Sequence, residues 1–194
     1  MLIFDLYCGR GGWAKGLIDS GHRIIGFDIM DFHREYPGTF VQCDLMEMEK
    51  KDFLKYGSRI DMIVASPPCT EFSKTDMPPS WKSVKAHPPN IEIAKELFDR
   101  VYEIVVELHP TYFLIENVRG ARKFMPGCIG HKGSRYFWGN YPDFELFGSG
   151  DDIYGKTKLP PTPDRAIIRS MIPYSIARGL GEKLWEVEHG RSIY

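Results

Sequence analysis

The beginning of the chain places a glycine-rich turn between a short apolar strand and a segment of helical character. Leu2–Leu6 is apolar except for Asp5, the turn spans Tyr7–Gly12, and a helix is predicted over Trp13–Ile18. This order is typical of a nucleotide-binding βαβ unit, because glycines let backbone N–H groups and the helix N-terminus approach a ligand closely. The spacing does not fit G-x-G-x-x-G, which disfavours a dinucleotide and favours another adenosine-containing cofactor. A tight turn without a ligand is the alternative on this stretch alone.

Acidic residues follow the next two predicted strands. Arg23–Phe27 is expected to form the second strand, which ends in Asp28, and an acid there is placed to accept hydrogen bonds from both hydroxyls of a ribose. Thr39–Cys43 is expected to form a third strand before Asp44, whose carboxylate is placed to accept the exocyclic amine of an adenine. Each acid is equally compatible with a solvated strand end, so neither indicates a cofactor by itself.

A thiol follows the strongly apolar run Ile60–Ala65. The run is followed by Pro67, Pro68 and Cys69, which indicates a buried strand that opens into a loop where open α/β sheets gather their ligands. Cys69 is therefore a candidate nucleophile. The alternative is a small buried cysteine without chemistry, which is how free cysteine usually behaves.

The region after the thiol is predicted to form a lid. Residues 75–90 are rich in Pro, Ser and Lys and are expected to be a mobile loop. Apolar residues at helical spacing predict a helix over Ile91–Leu108, and the buried strand Thr111–Ile115 follows it. That strand leads into Glu116 and Asn117, so a second chemically active group stands at a strand end.

The last third of the chain opens with a basic segment. Arg119–Arg135 holds five basic residues and no acidic residue, which favours a phosphate-facing surface over a solvated loop only weakly. Arg135–Gly139 alternates like a strand, and Phe144–Phe147 is predicted to be its partner. After a Gly/Pro-rich loop, a helix is expected from Pro173, in its first turn, to about Glu188.

Apolar strands separated by helical segments predict an open α/β sheet whose carboxyl edge collects Asp28, Cys69 and Glu116. A length of 194 residues with 43% hydrophobic content favours one domain over 1–194. A thiol and a carboxyl group at one edge suit thiolate addition to an electron-poor ring, with the acid placed to protonate or hydrogen-bond the ring.

Composition excludes several classes of protein. A net charge of −1 gives no global attraction to nucleic acid or to an anionic membrane, so any such attraction has to come from local patches. Four cysteines without a C-x-x-C pair argue against a disulfide scaffold and a thiolate zinc site, and no metal is expected. Without a membrane-length apolar run or a leader pattern, we expect a soluble, cytoplasmic protein in a reducing environment and no membrane partner.

Four motifs in chain order closely resemble those of the cytosine-C5 DNA methyltransferases: Asp5–Gly12, Pro67–Ser73, Glu116–Val118 and Arg135. The resemblance implies a Rossmann-like S-adenosylmethionine-dependent methyltransferase fold, an open, twisted, mostly parallel sheet with helices on both faces. It implies that Cys69 attacks C6 of a cytosine, that Glu116 engages N3 and the amino group, and that Arg135 holds O2. Asn117 belongs to the same implied catalytic set.

The same resemblance implies a cofactor site and a substrate. Glycines near the methionine moiety, an acid at the ribose and an acid at the adenine are implied. The full set of cofactor residues is Tyr7, Gly9, Arg10, Gly12, Asp28, Ile29, Asp44, Leu45, Pro68 and Ser170. The implied substrate is cytosine in DNA, flipped out or already single-stranded, because C5 and C6 cannot be reached inside a stacked duplex.

The chain departs from the family pattern at three places. His131 and Gly133 stand at the earlier positions of the motif that ends in Arg135, so the first arginine of that motif is missing. The residues around Ser170 do not form the usual G-N-x-V. The short loop 140–165 stands where the family carries a target-recognition domain, so we expect no such domain, and a separate specificity subunit or a homodimer is an expected partner.

Three other functions stay open at this point. The same chemistry on RNA, as in the transfer-RNA branch of the family, differs only in substrate. A non-catalytic or partner-dependent nucleic-acid-binding subunit is a second alternative, which the intact Cys69 and Glu116 motifs disfavour. A nicotinamide oxidoreductase is the third, disfavoured by the glycine spacing.

Overall fold

The computed structural model describes residues 1–142 and 171–190 and forms one seven-stranded sheet flanked by helices. The strands are β1 Leu2–Leu6, β2 Arg23–Asp28, β3 Thr39–Gln42, β4 Met62–Ala65, β5 Tyr112–Val118, β6 Cys128–Lys132 and β7 Arg135–Asn140. The helices are α1 Gly12–Asp19, α2 Lys50–Leu54, α3 Thr70–Lys74, α4 Lys82–Ala86, α5 Ile91–Leu108 and α6 Tyr174–His189, with a 3₁₀ helix at Arg119–Lys123.

The strand order β3-β2-β1-β4-β5-β7-β6 places the first strand of the chain near the middle of the sheet. Strands β1 to β5 are parallel, whereas β7 runs antiparallel to both β5 and β6. Because β1 pairs with β2 on one side and β4 on the other, a crevice opens at its carboxyl end, where open α/β sheets bind ligands. The prediction of an open, mostly parallel α/β sheet is confirmed.

Helices cover both faces of the sheet, which explains why the central strands are apolar along their whole length. One face packs against α2 and α5 through side chains such as Phe53 and Phe98. The other packs against α1 and α6, where a Cβ at Gly16 would collide with the backbone of Arg178. The two helices therefore approach at backbone distance, and α6 is held firmly beside the turn that precedes α1.

Helix α5 has the bounds that its sequence predicts. The Asn90 side chain accepts a hydrogen bond from the backbone N–H of Ile93 at 3.3 Å, which caps the start of the helix. His109 takes a left-handed conformation with a φ of 49°, and Pro110 follows, so the helix cannot continue. The buried side of the capped helix packs against one face of the sheet.

Other regions differ from the expectations. The predicted lid over 75–90 contains the short helix α4. Strand β7 pairs with β5 on one side and with β6 on the other, and Phe144–Phe147, which was predicted to be its partner, lies outside the described residues. Pro173 precedes the last helix as its N-cap. None of the helices in the described ranges combines the length and apolar character that a membrane crossing requires.

Candidate active site

The turn after β1 is shaped by residues in the left-handed region. Tyr7, Gly9 and Gly11 have φ values of 54°, 51° and 83°, which glycine adopts without strain. A Cβ at Gly9 would meet nothing within 4 Å, whereas a Cβ at Gly12 would collide with the backbone of Ile172. The turn is thus open at Gly9 and closed at Gly12 by the segment that leads into α6.

Asp28 binds this turn directly. Its Oδ2 accepts the backbone N–H of Gly9 at 2.9 Å, and its Oδ1 accepts the N–H of Met30 at 2.9 Å. The carboxylate predicted to stand at a ribose therefore also ties the end of β2 to the glycine turn. Ile29, which stands between Asp28 and Met30 in the chain, is 60% exposed, so its apolar side chain faces solvent next to Asp28.

A cavity of about 70 Å³ lies at the turn. Trp13 lies at one wall and donates from Nε1 to Oγ of Ser66 at 3.1 Å, which joins α1 to the end of β4. The cavity is lined by Tyr7, Cys8, Gly9, Arg10, Gly12, Trp13, Ser66, Met171 and Ile172. Four of the predicted cofactor residues are thus brought together. Met171 and Ile172 were missed; the neighbouring Ser170 was predicted instead, and it lies outside the described residues.

The acid after β3 stands in a tight turn of its own. Asp44 accepts the backbone N–H of Met46 on Oδ1 at 2.9 Å, and Leu45 is buried. The N–H of Cys43 donates to the carbonyl of Asp28 at 2.9 Å, so this turn adjoins the end of β2. The predicted ribose acid and adenine acid are therefore on neighbouring strand ends.

The thiol and the acid of the predicted catalytic set come from adjacent parallel strands. Ala65, the last residue of β4, is in register with Ile115 of β5, so the loop that leads to Cys69 begins beside Glu116. The prediction that this strand ends at Ile115 is wrong, because pairing with β7 extends β5 to Val118 and places Glu116 inside the strand. Cys69 is the N-cap of α3 and is partly exposed. Asn117 donates from Nδ2 to the carbonyl of Pro67 at 3.0 Å, which holds the proline loop against β5. In the same loop, Pro67 is buried and Pro68 is exposed.

Glu116 forms a buried ion pair with Arg135. Their relative exposures are 7% and 6%, and Arg135 Nη1 donates to Glu116 Oε1 at 3.2 Å. Arg135 also donates from Nη2 to the carbonyl of Met171 at 2.7 Å. The guanidinium therefore joins the catalytic acid to the same C-terminal segment that lines the glycine-turn cavity, a link that no sequence pattern predicted.

The electrostatics of the thiol reflect these neighbours. Burial raises the pKa of Cys69 above its ordinary value, and the negative charge of Glu116 raises it further. A hydrogen bond with Ser73 and the positive charge of Arg135 act in the opposite direction on the pKa of the thiol.

The predicted phosphate-facing segment contacts the lid. Asp76 accepts Nε of Arg119 at 3.1 Å and Nζ of Lys123 at 2.9 Å. Arg122 lies over the ring of Tyr136 at 5.3 Å from its centroid. Two of the five basic side chains thus bind an acidic residue of the lid. Within 1–142 and 171–190, no group of three His, Cys, Asp or Glu side chains could hold a metal ion.

A larger cavity, of about 780 Å³, lies away from this chemistry, between residues 46–51 and α5. Arg100, Glu103 and Glu107 line it from α5. Its openness to solvent and its lack of a thiol or a glycine turn argue against a catalytic role, so we place the candidate active site at the smaller cavity and the adjoining Cys69.

Comparison with known proteins identifies the family of this chain. A family model described as C-5 cytosine-specific DNA methylase matches residues 1–127. Type II methyltransferase M.HgiGI of Herpetosiphon aurantiacus is 25% identical over 128 residues, which cover 63% of this chain and 94% of that protein. A protein of Methanocaldococcus jannaschii assigned as type II methyltransferase M.MJ0563P is 26% identical over 124 residues, 59% of this chain. The match spans only 35% of that relative's length.

The fold also has a solved counterpart. A protein assigned as a DNA modification methyltransferase encoded within an E. coli prophage is 21% identical, with a TM-score of 0.51. The likeness covers 72% of this chain and 46% of that one. It shows a shared fold, in agreement with the Rossmann-like methyltransferase fold that the sequence motifs imply.

Proposed function

Because this chain belongs to the C-5 cytosine-specific DNA methylase family, we propose that it is an S-adenosylmethionine-dependent DNA (cytosine-5-)-methyltransferase. The observation that carries the proposal is that the loop bearing Cys69 follows β4 directly beside Glu116 of β5: Ala65 is in register with Ile115, and Asn117 binds the carbonyl of Pro67, two residues before the thiol. The glycine turn, which is open at Gly9, follows β1, and β1 pairs with the strand β4 that precedes Cys69. A cofactor bound at this turn would therefore lie beside the thiol.

In the proposed reaction, the Cys69 thiolate forms a bond to C6 of cytosine, and the electron pair of the C5–C6 double bond moves to C5. Glu116 takes up a proton as the base binds, donates it in a hydrogen bond to N3 and accepts a hydrogen bond from the amino group as charge develops on the ring. Bound S-adenosylmethionine would supply the methyl group that C5 attacks, and cleavage of its methyl–sulfur bond would leave S-adenosylhomocysteine. Loss of the C5 proton and cleavage of the C6–sulfur bond then restore the double bond and release the thiolate.

The remaining catalytic residues hold this pair in place. Arg135 has one guanidinium nitrogen on Glu116, and we propose that it also holds O2 of the base. Asn117 secures the proline loop through the carbonyl of Pro67, so it fixes the position from which Cys69 attacks. Such fixed positioning contributes to catalysis because the reacting atoms have to be aligned before the bond forms.

The described residues fit the adenosyl cofactor. The open space at Gly9 suits the methionine moiety. Asp28, held by the N–H of Gly9, suits the ribose, and the exposed side chain of Ile29 suits one face of the adenine. We propose that Asp44 and Leu45 hold the adenine edge and that Tyr7, Arg10, Gly12, Pro68 and Ser170 complete the site. A carboxylate that accepts two backbone N–H bonds still has lone pairs for ribose hydroxyls.

We propose DNA as the substrate, with the target cytosine flipped out or single-stranded. We also propose that 1–194 is one catalytic domain in which the short segment 140–165 replaces a target-recognition domain. Sequence reading in the major groove needs several base-contacting side chains, so a specificity subunit or a second copy of the chain would supply them.

The test is transfer of a tritiated methyl group from S-adenosylmethionine to matched DNA and RNA oligonucleotides. Transfer to DNA by the wild type and its loss by at least roughly a thousandfold in Cys69→Ala, with cofactor binding retained in calorimetry, would support the proposal. Transfer to RNA alone would move the substrate to RNA, and activity retained in Cys69→Ala would exclude the covalent mechanism.

A trapping experiment and a cellular readout complete the test. A 5-fluorocytosine oligonucleotide should form a covalent complex with the wild type, because a fluorine at C5 cannot leave as a proton does. Glu116→Gln should form that complex far more slowly, and trapping at the normal rate would contradict the role of the acid. Bisulfite sequencing of DNA from cells that express the protein reports activity and sequence context together.

A further inference from the structure

Arg100 on α5 is a buried cation outside the catalytic set. It is 7% exposed and lies in the middle of a helix whose outer face is charged. Its Nε donates to the carbonyl of Leu45 at 2.9 Å, and its Nη2 donates to the carbonyl of Met48 at 2.6 Å. A helix side chain therefore satisfies two backbone acceptors of the turn that follows β3.

That turn carries the proposed adenine contacts, Asp44 and Leu45. It stands at the end of β3, the first strand in the sheet order, which pairs with β2. Leu45 and Met48 are buried. A buried carbonyl that has no hydrogen-bond donor costs about 1–3 kcal/mol of stability, so both carbonyls need a donor from within the protein. The guanidinium of Arg100 is the group that binds both.

The charge of Arg100 is balanced on its own helix. Nη1 donates to Oε2 of Glu103 at 2.9 Å and lies 3.5 Å from Oε1 of Glu107. The planar guanidinium of Arg100 is thus surrounded by two backbone carbonyls and two carboxylates. A lysine ammonium has three donors and no such plane, so it cannot reproduce this set.

The segment of α5 just before Arg100 also contacts the glycine turn, at the other end of the proposed cofactor site. The hydroxyl of Tyr7 donates to the carbonyl of Leu97 at 3.1 Å, one helical turn before Arg100. The glycine turn at one end and the turn that follows β3 at the other are therefore tied to one segment, 97–100. This geometry would fix the distance between the two ends of a bound adenosyl group.

We propose that Arg100 is a positioning residue that holds Asp44 and Leu45 in place to recognise the 6-amino group of adenine. The inference rests on the proposed function, because it assumes an adenosyl cofactor. Arg100 acts through the carbonyls of Leu45 and Met48 and does not touch the cofactor itself.

The test compares S-adenosylhomocysteine with S-inosylhomocysteine, which lacks the 6-amino group, by calorimetry on the full chain. The wild type should prefer the adenosyl ligand by about tenfold or more, the worth of one well-placed hydrogen bond to a carboxylate. Arg100→Lys should weaken binding of the adenosyl ligand by about tenfold and leave the inosyl ligand nearly unchanged, so the preference disappears. A general loss of structure would instead weaken both ligands together.

Arg178→Lys is the matched control. Arg178 also donates to a backbone carbonyl, that of Asp19 at 2.8 Å, and to a carboxylate, that of Glu182 at 2.7 Å, but it joins α6 to α1. This variant should keep the adenine preference of the wild type. Should Arg100→Lys not fold, the double variant Arg100→Gln, Glu103→Gln removes the guanidinium together with its nearer carboxylate and is expected to lose the preference in the same way.

The outcomes separate the two claims. Retention of the adenine preference in the Arg100 variants, or equal weakening of both ligands, would overturn the positioning role and leave the proposed function intact. Failure of the wild type to bind S-adenosylhomocysteine would overturn the cofactor assignment and, with it, this inference.

Discussion

The two halves of the carboxyl edge are held together by different kinds of interaction. On the cofactor side, Asp28 and Asp44 bind backbone N–H groups of nearby turns. On the catalytic side, the buried pair Glu116–Arg135 and the contact between Asp76 and the 3₁₀ helix are ion pairs between separate segments. The cofactor half is therefore shaped mainly by backbone geometry, and the catalytic half by charges that require partners.

This difference predicts how each half responds to substitution. Removal of one partner from a buried ion pair leaves an uncompensated charge, which costs far more than the loss of an exposed pair. Removal of a carboxylate that caps a turn costs only its hydrogen bonds and leaves no buried charge behind. The catalytic half should thus be the more sensitive to single substitutions, and the following variants test that order.

The largest effect is expected at Arg135. Arg135→Met leaves Glu116 buried without its partner and should lower the free energy of unfolding by about 3–5 kcal/mol, measured with urea at pH 7. The double variant Arg135→Met, Glu116→Gln should recover most of this loss because the orphaned charge is gone. Arg119→Met, which breaks an exposed pair, is the control and should cost under about 1 kcal/mol. Equal losses in the two single variants would contradict the comparison.

Asp5 is the exception on the cofactor side and should show the second largest effect. It is fully buried in β1 and accepts the hydroxyl of Tyr36 at 3.1 Å. Burial raises its pKa well above the ordinary value, against the opposing hydrogen bond from Tyr36, and the charge of Asp28 raises the pKa further. Since the unfolded chain loses this proton at lower pH than the folded protein, stability should fall as pH rises from the ordinary to the raised pKa.

Urea unfolding at pH values from 4 upwards measures this dependence. The free energy of unfolding of the wild type should decline by up to about 1.4 kcal/mol for each pH unit within that interval. Asp5→Asn should lack the decline that Asp5 causes. A pH dependence that is identical in both proteins would show that another group is responsible.

A smaller effect is expected at Asp28. Asp28→Asn keeps one acceptor oxygen and places an NH₂ group against one of the two backbone N–H donors, Gly9 or Met30. Affinity for S-adenosylhomocysteine should fall by about tenfold, or about 1.4 kcal/mol, in calorimetry. Asp31→Asn is the control, because its exposed carboxylate binds His33 outside the turn, and it should leave affinity unchanged. Normal affinity in Asp28→Asn would remove Asp28 from the cofactor site.

The smallest effect is expected at Asp76. Asp76→Asn breaks the ion pairs of Arg119 and Lys123 with the lid and leaves both positive charges without this carboxylate. Non-specific affinity for duplex DNA should therefore rise by less than about tenfold and fall more steeply with salt. Fluorescence anisotropy over a range of KCl concentrations measures both quantities. Asp99→Asn removes the same charge from the exposed face of α5 and should change neither. An unaltered salt dependence in Asp76→Asn would show that these cations do not face DNA.

Much of the fold follows from local sequence. The period of apolar residues, together with Asn90 and Pro110, predicts the bounds of α5, and the apolar runs before Asp28 and Cys69 predict central strands. The basic segment was harder to predict. Its strand β6 has alternating exposure and two glycines nearby, so its low apolar content conceals a strand that pairs only with β7.

Local sequence alone determined the order of the central strands, the glycine turn and the residues of the proposed catalytic pair, because each of these depends on conformational preferences within a few neighbouring residues. The end of β5 was set by pairing with β7, which extends the strand from the predicted Ile115 to Val118. Tertiary structure decided which groups meet: Arg135 with Glu116 and Met171, Arg100 with Leu45 and Met48, and Asp76 with Arg119 and Lys123. These contacts join segments far apart in the chain, and their geometry exists only when the sheet and the helices on both its faces have packed.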